Sequence, residues 1–272
     1  MSKEPKTKKT KYKVSIGDRI ISILTYVIYS IFAFVCVYPF YYIFINTISA
    51  NDLSERGKIV FWPKGIHFTN YLNVMKIDGL LQATKISLAR TVIGTFVTVI
   101  VAAFLGYMFT RETMWHRKLW FRLVAATMYF NAGIIPWFIT MKNLGLTNNF
   151  WVYILPAAVQ PFYIILCKTF VESIPKELED AAEIDGAGPF KTFLQVIIPV
   201  SKPVFATVFI LDYVAYWSDF MWPLLVITDA GKRTVQLGIQ TFFTEPPVYY
   251  GPIMAALTIA SVPMIIMFLF LQ

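Results

Sequence analysis

Two carboxylates stand inside a long apolar run near the C-terminal end, Asp212 and Asp219 in the stretch FILDYVAYWSDFMW. A charged side chain at bilayer depth costs about 3 kcal/mol or more unless it faces protein or water, so such residues mark pathways or buried pairs. Seven positions separate them, which on a continuous helix turns both toward a similar side. Tyr213, Tyr216 and Trp217 lie between them, and Tyr129 and Asn131 occupy a comparable depth in an earlier apolar run. Aromatic faces stack on the C–H surfaces of ring-shaped polyols, while amides and carboxylates bond their hydroxyls. Tyr129, Asn131, Tyr213, Tyr216, Trp217 and Asp219 are therefore the candidate lining of a solute pathway. Against each individual residue stands the abundance of aromatics, 24 Phe, 15 Tyr and 7 Trp, many of which serve as interface belts or lipid-facing packing.

Other chemistries lack their residues. There is no G-x-x-x-x-G-K-[ST] phosphate loop, so any pumping must draw energy from another subunit. His67 and His116 are the only histidines and are far apart, so no H-E-x-x-H metal site exists. No G-x-S-x-G elbow is present. Cys36 and Cys167 both lie in apolar runs and read as packing. The sequence thus calls for no cofactor, no metal and no enzymatic chemistry within the chain.

A second constellation is polar. SIPKELEDAAEIDGAGPFKTFLQVIIPVSKP, residues 173–203, interrupts the hydrocarbon of the C-terminal half. Pro175 opens a helix without losing a hydrogen bond, Glu177, Glu179 and Asp180 suit the positive end of its dipole, and Gly186 stops it. Leu178, Ala181 and Ala182 form one small apolar stripe at i, i+3, i+4. A second helix starts at Pro189, carries Phe190, Phe193, Leu194 and Ile197 on one face, and ends near Pro199. Gly186, Ala187 and Gly188 join the two into an elbow shaped to fit a groove on a soluble partner.

The elements that must position these residues are membrane helices. Of 272 residues, 57% are hydrophobic and only 15% charged, and the mean hydropathy is +0.60, outside the range of a soluble domain. The net charge of +8 does not point to nucleic acid, because much of it sits in Lys3, Lys6, Lys8, Lys9, Lys11, Lys13 and Arg19. Residues 1–18 read as a basic cytoplasmic tail and 19–272 as one transmembrane domain. Six spans are expected, at 20–48 with a kink at Pro39, 88–110, 119–141 interrupted by Asn131, Gly133 and Pro136, 150–171 holding Pro156 and Pro161, 204–228 and 252–272. Residues 49–85 and 229–249 fall outside, the first with a short interfacial helix, and both termini and the elbow between spans four and five fall inside. The fold class is all-α, and the expected location is a cell membrane.

Asp180-Ala181-Ala182, Asp185-Gly186-Ala187 and Pro199 resemble the EAA loop of ABC importer permeases, in particular the carbohydrate-uptake group related to the maltose permease subunit. Trp217-Ser218-Asp219-Phe220-Met221-Trp222-Pro223-Leu224 resembles that group's W-N-D-F-L-W-P-L stretch, and Ile134-Ile135-Pro136, Lys142 to Leu146 and Ile154-Leu155-Pro156 are similar to permeases for complex oligosaccharides. The likeness covers roughly Leu88 to Gln272. Asp180 stands where the group usually has Glu and Ser218 where it often has Asn. The resemblance implies that Asp180, Ala181, Ala182, Asp185, Gly186, Ala187 and Pro199 form a cytoplasmic coupling element for an ATPase. It further implies a sister permease, two ATPase subunits, an extracytoplasmic solute-binding protein, a carbohydrate substrate and a bacterial plasma membrane. An ion-coupled secondary transporter using Asp212 and Asp219 is the alternative, and it has no need of the elbow.

Overall fold

The computed structural model describes residues 15–130, 132–244 and 250–271, all helix, turn or loop with no strand among them. The first helix, α1 (Ile16–Thr47), opens on a capping box in which Ser15 and Asp18 each bond the other's end of the first turn. It runs through Pro39 and buries only Ile45, Asn46 and Thr47. The rest of its surface is exposed Ile, Leu, Val, Phe and Tyr. Two short helices, α2 (Asn51–Glu55) and α3 (Thr69–Met75), follow in the segment expected outside.

At the centre lies α4 (Leu80–Met108), against which the later helices pack. Apart from Arg90, its buried positions are small or hydroxylated, among them Ser87, Thr91, Gly94, Thr95, Thr98, Ala102 and Ala103. Lipid tails are as apolar as leucine, so membrane helices associate through close approach rather than by hiding hydrocarbon, and small residues permit it. Gly94 shows the requirement directly: a Cβ there would sit 2.5 Å from the Tyr216 ring.

Beyond α4 the expected spans are broken. The third span at 119–141 is interrupted near Gly133 and Pro136 as the sequence suggests: α5 (Arg117–Thr127) and α6 (Ile134–Asn143) stand apart, and Gly133 takes φ +86°. The fourth begins as two 3₁₀ turns, Phe150–Tyr153 and Leu155–Ala157, and continues at 47° as α7 (Pro161–Glu172), since Pro156 and Pro161 withhold ladder donors.

The polar interruption folds as α8 (Glu177–Ile184), α9 (Pro189–Thr192), a π turn at Phe193–Ile197, and α10 (Ile198–Val200). The chain then turns by 78° into α11 (Lys202–Ser218). α11 stops at Ser218 and a separate α12 (Met221–Val226) follows, so 204–228 is not one helix. Next come α13 (Val235–Thr244) and α14 (Tyr250–Leu271). Among the described residues α1, α4 and α14 are long and apolar enough to cross a membrane, and the bent pairs at 150–172 and 189–218 bring the count to 5 if each is one span. Helices also start earlier than the sequence suggests, at Ile16 rather than 20 and at Leu80 rather than 88, because charged residues at span ends still join the helix.

Candidate functional site

The elbow is built by local rules. α8 ends in a Schellman motif: Gly186 at φ +75° donates its N–H to Glu183 O at 3.0 Å, and Ala187 donates to Ala182 O at 2.9 Å. Gly188 then leads into Pro189 at the first position of α9. The stop at Gly186 and the restart at Pro189 stand where the sequence puts them, whereas α8 starts at Glu177, two residues after Pro175.

Helix periodicity sorts the α8 side chains into two faces. Glu179 and Glu183, four apart, turn inward to Arg111 beyond the end of α4; Arg111 Nη1 donates to Glu179 Oε2 at 2.6 Å and Nη2 donates to Glu183. The hydrogen bond to Glu183 above all, with that to Glu179, raises the pKa of the guanidinium, while burial pulls the other way. Arg111 also lies 5.9 Å from the Tyr107 ring, and Tyr107 stacks on Phe193 of the π turn at 5.4 Å. Phe193 and Ile197 bury themselves against Ala103, Tyr107, Val171 and Ile174. Charge and hydrocarbon thus tie the elbow to α4 at two separate points.

The other face is left open. Asp180, Ala181 and Asp185 are exposed, Ala182 and Ala187 are half-buried, and Pro199 is exposed in α10. Ile184 is 86% and Phe190 64% exposed, and Leu194 is exposed as well. The stripe that sequence assigns to the second elbow helix is therefore divided, with Phe193 and Ile197 turned to the bundle and Phe190 and Leu194 turned away. The physical cause is the π turn, whose wider winding shifts the register within one face. A cavity of about 420 Å³, lined by Arg111, Arg117, Glu172, Lys176, Glu179 and Glu183 among others, lies between the elbow and the loop after α4.

The candidate pathway residues do not gather in one place. Tyr129 sits beyond the end of α5 and is 86% exposed, and Asn131 lies outside the described residues. Tyr213 and Trp217 are packed against α13 and α14, their rings parallel at 6.4 Å, and the Trp217 indole N–H donates to Ala260 O at 2.9 Å. Asp212 is buried within α11, and its Oδ2 has no hydrogen-bond partner.

Asp219 and Tyr216 meet at Arg90, a residue that goes unnoticed in the sequence. The signal was present, since an arginine within an apolar run demands a partner. Arg90 of α4 is 4% exposed; its Nη2 pairs with Asp219 Oδ2 and its Nη1 donates to Asp219 O at 3.1 Å. Its guanidinium lies 4.7 Å from the Tyr153 ring and 5.4 Å from that of Tyr216. The remaining carboxylate oxygen of Asp219 accepts the Trp222 N–H at 3.2 Å, at the start of α12. Both oxygens are committed to holding the break between α11 and α12, so Asp219 is not a free ion-binding carboxylate.

Residues 10–272 match the family of the binding-protein-dependent transport system inner membrane component. The chain belongs to that family. It is 29% identical over 270 residues to the polygalacturonan/rhamnogalacturonan transport system permease protein YtcP of Bacillus subtilis, covering 94% of each chain. Protein LplC of the same organism is 31% identical over 253 residues, 88% of this chain and 85% of that one. Among solved structures, a bacterial ABC transporter involved in the import of the acidic polysaccharide alginate superposes with a TM-score of 0.86 at 28% identity, over 97% of this chain and 99% of that one. Membership in this family makes the chain a membrane component of a transport system, in keeping with the sequence resemblance.

Proposed function

We propose that the chain is a permease subunit of an ATP-driven sugar importer, carrying an oligosaccharide that an extracytoplasmic binding protein delivers. The chain crosses a bacterial cell membrane six times with both termini inside, and the segment at 117–143 forms one broken crossing. A sister permease completes the path, and two ATPase subunits on the cytoplasmic side close on ATP and pull the elbow between two positions. Coupling requires that the elbow bind the ATPase dimer differently in its two states.

The observation that carries this reading is the division of the elbow. One side is bonded to α4 through Arg111, Glu179, Glu183 and Phe193. The other presents Asp180, Ala181, Ile184 and Phe190 with nothing covering them, a small apolar plug with a carboxylate at its edge. A force applied to the free side reaches the central helix through the bonded side. The substrate class rests on relatives whose names include lactose, arabino-oligosaccharides and melibiose/raffinose/stachyose besides the pectic and alginate transporters.

The deciding experiment is gentle purification of the tagged chain from its native membrane. Recovery of a second permease and an ATPase, lost on Ile184→Asp or Ala182→Trp while the chain stays inserted, is the expected result. Recovery of the chain alone, with solute uptake driven by an ion gradient, would overturn it.

A further inference from the structure

We propose that the cavity beside Arg90 is a saccharide subsite, in which one sugar ring lies against Trp137 and Trp222 and bonds Gln160 through its hydroxyls. The proposal rests on the sugar-importer reading and adds the place of contact. The cavity measures about 180 Å³ and is lined by Arg90, Trp137, Tyr153, Gln160 and Trp222 among others. The two indoles come from different elements, α6 and α12, and their rings lie 4.2 Å apart at 44°. Together they make an apolar wall, with both side chains half-buried and one side toward the cavity. Aromatic walls of this kind match the C–H face of a pyranose, and a few convergent polar groups then set its orientation.

Gln160 contributes such a group, an amide with both donors and an acceptor. Arg90 closes one side of the cavity, its two terminal nitrogens engaged with Asp219. Asp219 already balances the charge of Arg90, so the cavity favours hydroxyls over a carboxylate.

The test uses the complete transporter reconstituted in vesicles with its binding protein, with radiolabelled raffinose and trigalacturonate as probes. Trp222→Ala and Gln160→Leu are expected to lower uptake of the transported probe about tenfold, with assembly and binding-protein-stimulated ATP hydrolysis kept. Trp222→Phe, which retains an aromatic face, is expected to keep more than half. Where Trp222→Ala fails to assemble, Gln160→Leu decides alone. Wild-type uptake in an assembled Gln160→Leu transporter overturns the subsite. Equal loss of uptake and ATP hydrolysis in Gln160→Leu also overturns it, since the residue would then act on the energy cycle. Failure of the unaltered transporter to move either sugar while it hydrolyses ATP instead removes the sugar-importer reading, and the subsite with it.

Discussion

At Asp219 one side chain performs two tasks. One oxygen meets Arg90 and the other caps α12 through the Trp222 N–H, so the carboxylate fixes where the helix breaks. Removing one partner of a buried ion pair leaves an uncompensated charge at a cost of about 3–5 kcal/mol. Arg90→Met should therefore lower the stability of the detergent-purified protein by about that much, measured as a drop in its unfolding temperature. Arg90→Met combined with Asp219→Leu should recover most of the loss, and failure to recover would mean that the cap matters more than the pair. Gly94→Ala is a second case: the new methyl meets the buried Tyr216 ring, and overpacking of this kind costs about 1–3 kcal/mol. Tyr216→Leu in the same chain should relieve the contact, which the same measurement would show. Neither effect is legible locally. Asp219 and Trp217 look equally suited to line a pathway in sequence, and only partners 129 and 43 residues away separate them.

Among the elements, the elbow was the most legible and the broken spans the least. The elbow announces itself through Pro175, the acidic first turn, Gly186 and Pro189, each acting within a few residues. The helices in the membrane give no such punctuation on their faces, because lipid-facing and core-facing positions are both apolar and the usual periodicity fades. Only the small and hydroxylated residues of α4 betray its packed side. The break before α6 is the exception, legible in Gly133 and Pro136. For the elbow itself, Arg111→Ala should free α8 from α4 without touching its outer face. Hydrogen exchange at residues 177–187 should rise several-fold, and sugar moved per ATP hydrolysed should fall while the ATPase still co-purifies. Unchanged exchange would show that the Phe193 contact alone holds the elbow. Gly186→Val places a β-branched residue at φ +75° and should cost about 1–2 kcal/mol locally, visible as earlier proteolysis at the bend.

The molecule as a whole has one long helix that is buried only at its C-terminal end, where it packs on α14 and α2. α1 is exposed along most of its length, and its apolar side chains need lipid or another subunit around them. In the proposed six-span arrangement the elbow and the loop at 111–116 would face the cytoplasm, and residues near Trp62 and Thr228 would face outward. In a chain with Cys36→Ala and Cys167→Ala, a membrane-impermeant maleimide should label Thr228→Cys on intact cells. Ile184→Cys should react only after the membrane is opened. Labelling of both from outside would invert or redraw the topology.

The π turn at Phe193–Ile197 holds one residue more than an α-helix would use over the same length. Each helical residue turns the chain by about 100°, so that surplus acts as a phase setting between the part of the elbow fastened to Tyr107 and everything after it. Deletion of the exposed Gln195 would rotate Ile197 and the spans that follow against the plug by more than a quarter turn, turning Ile197 off its seat on α4 while Phe193 keeps its own.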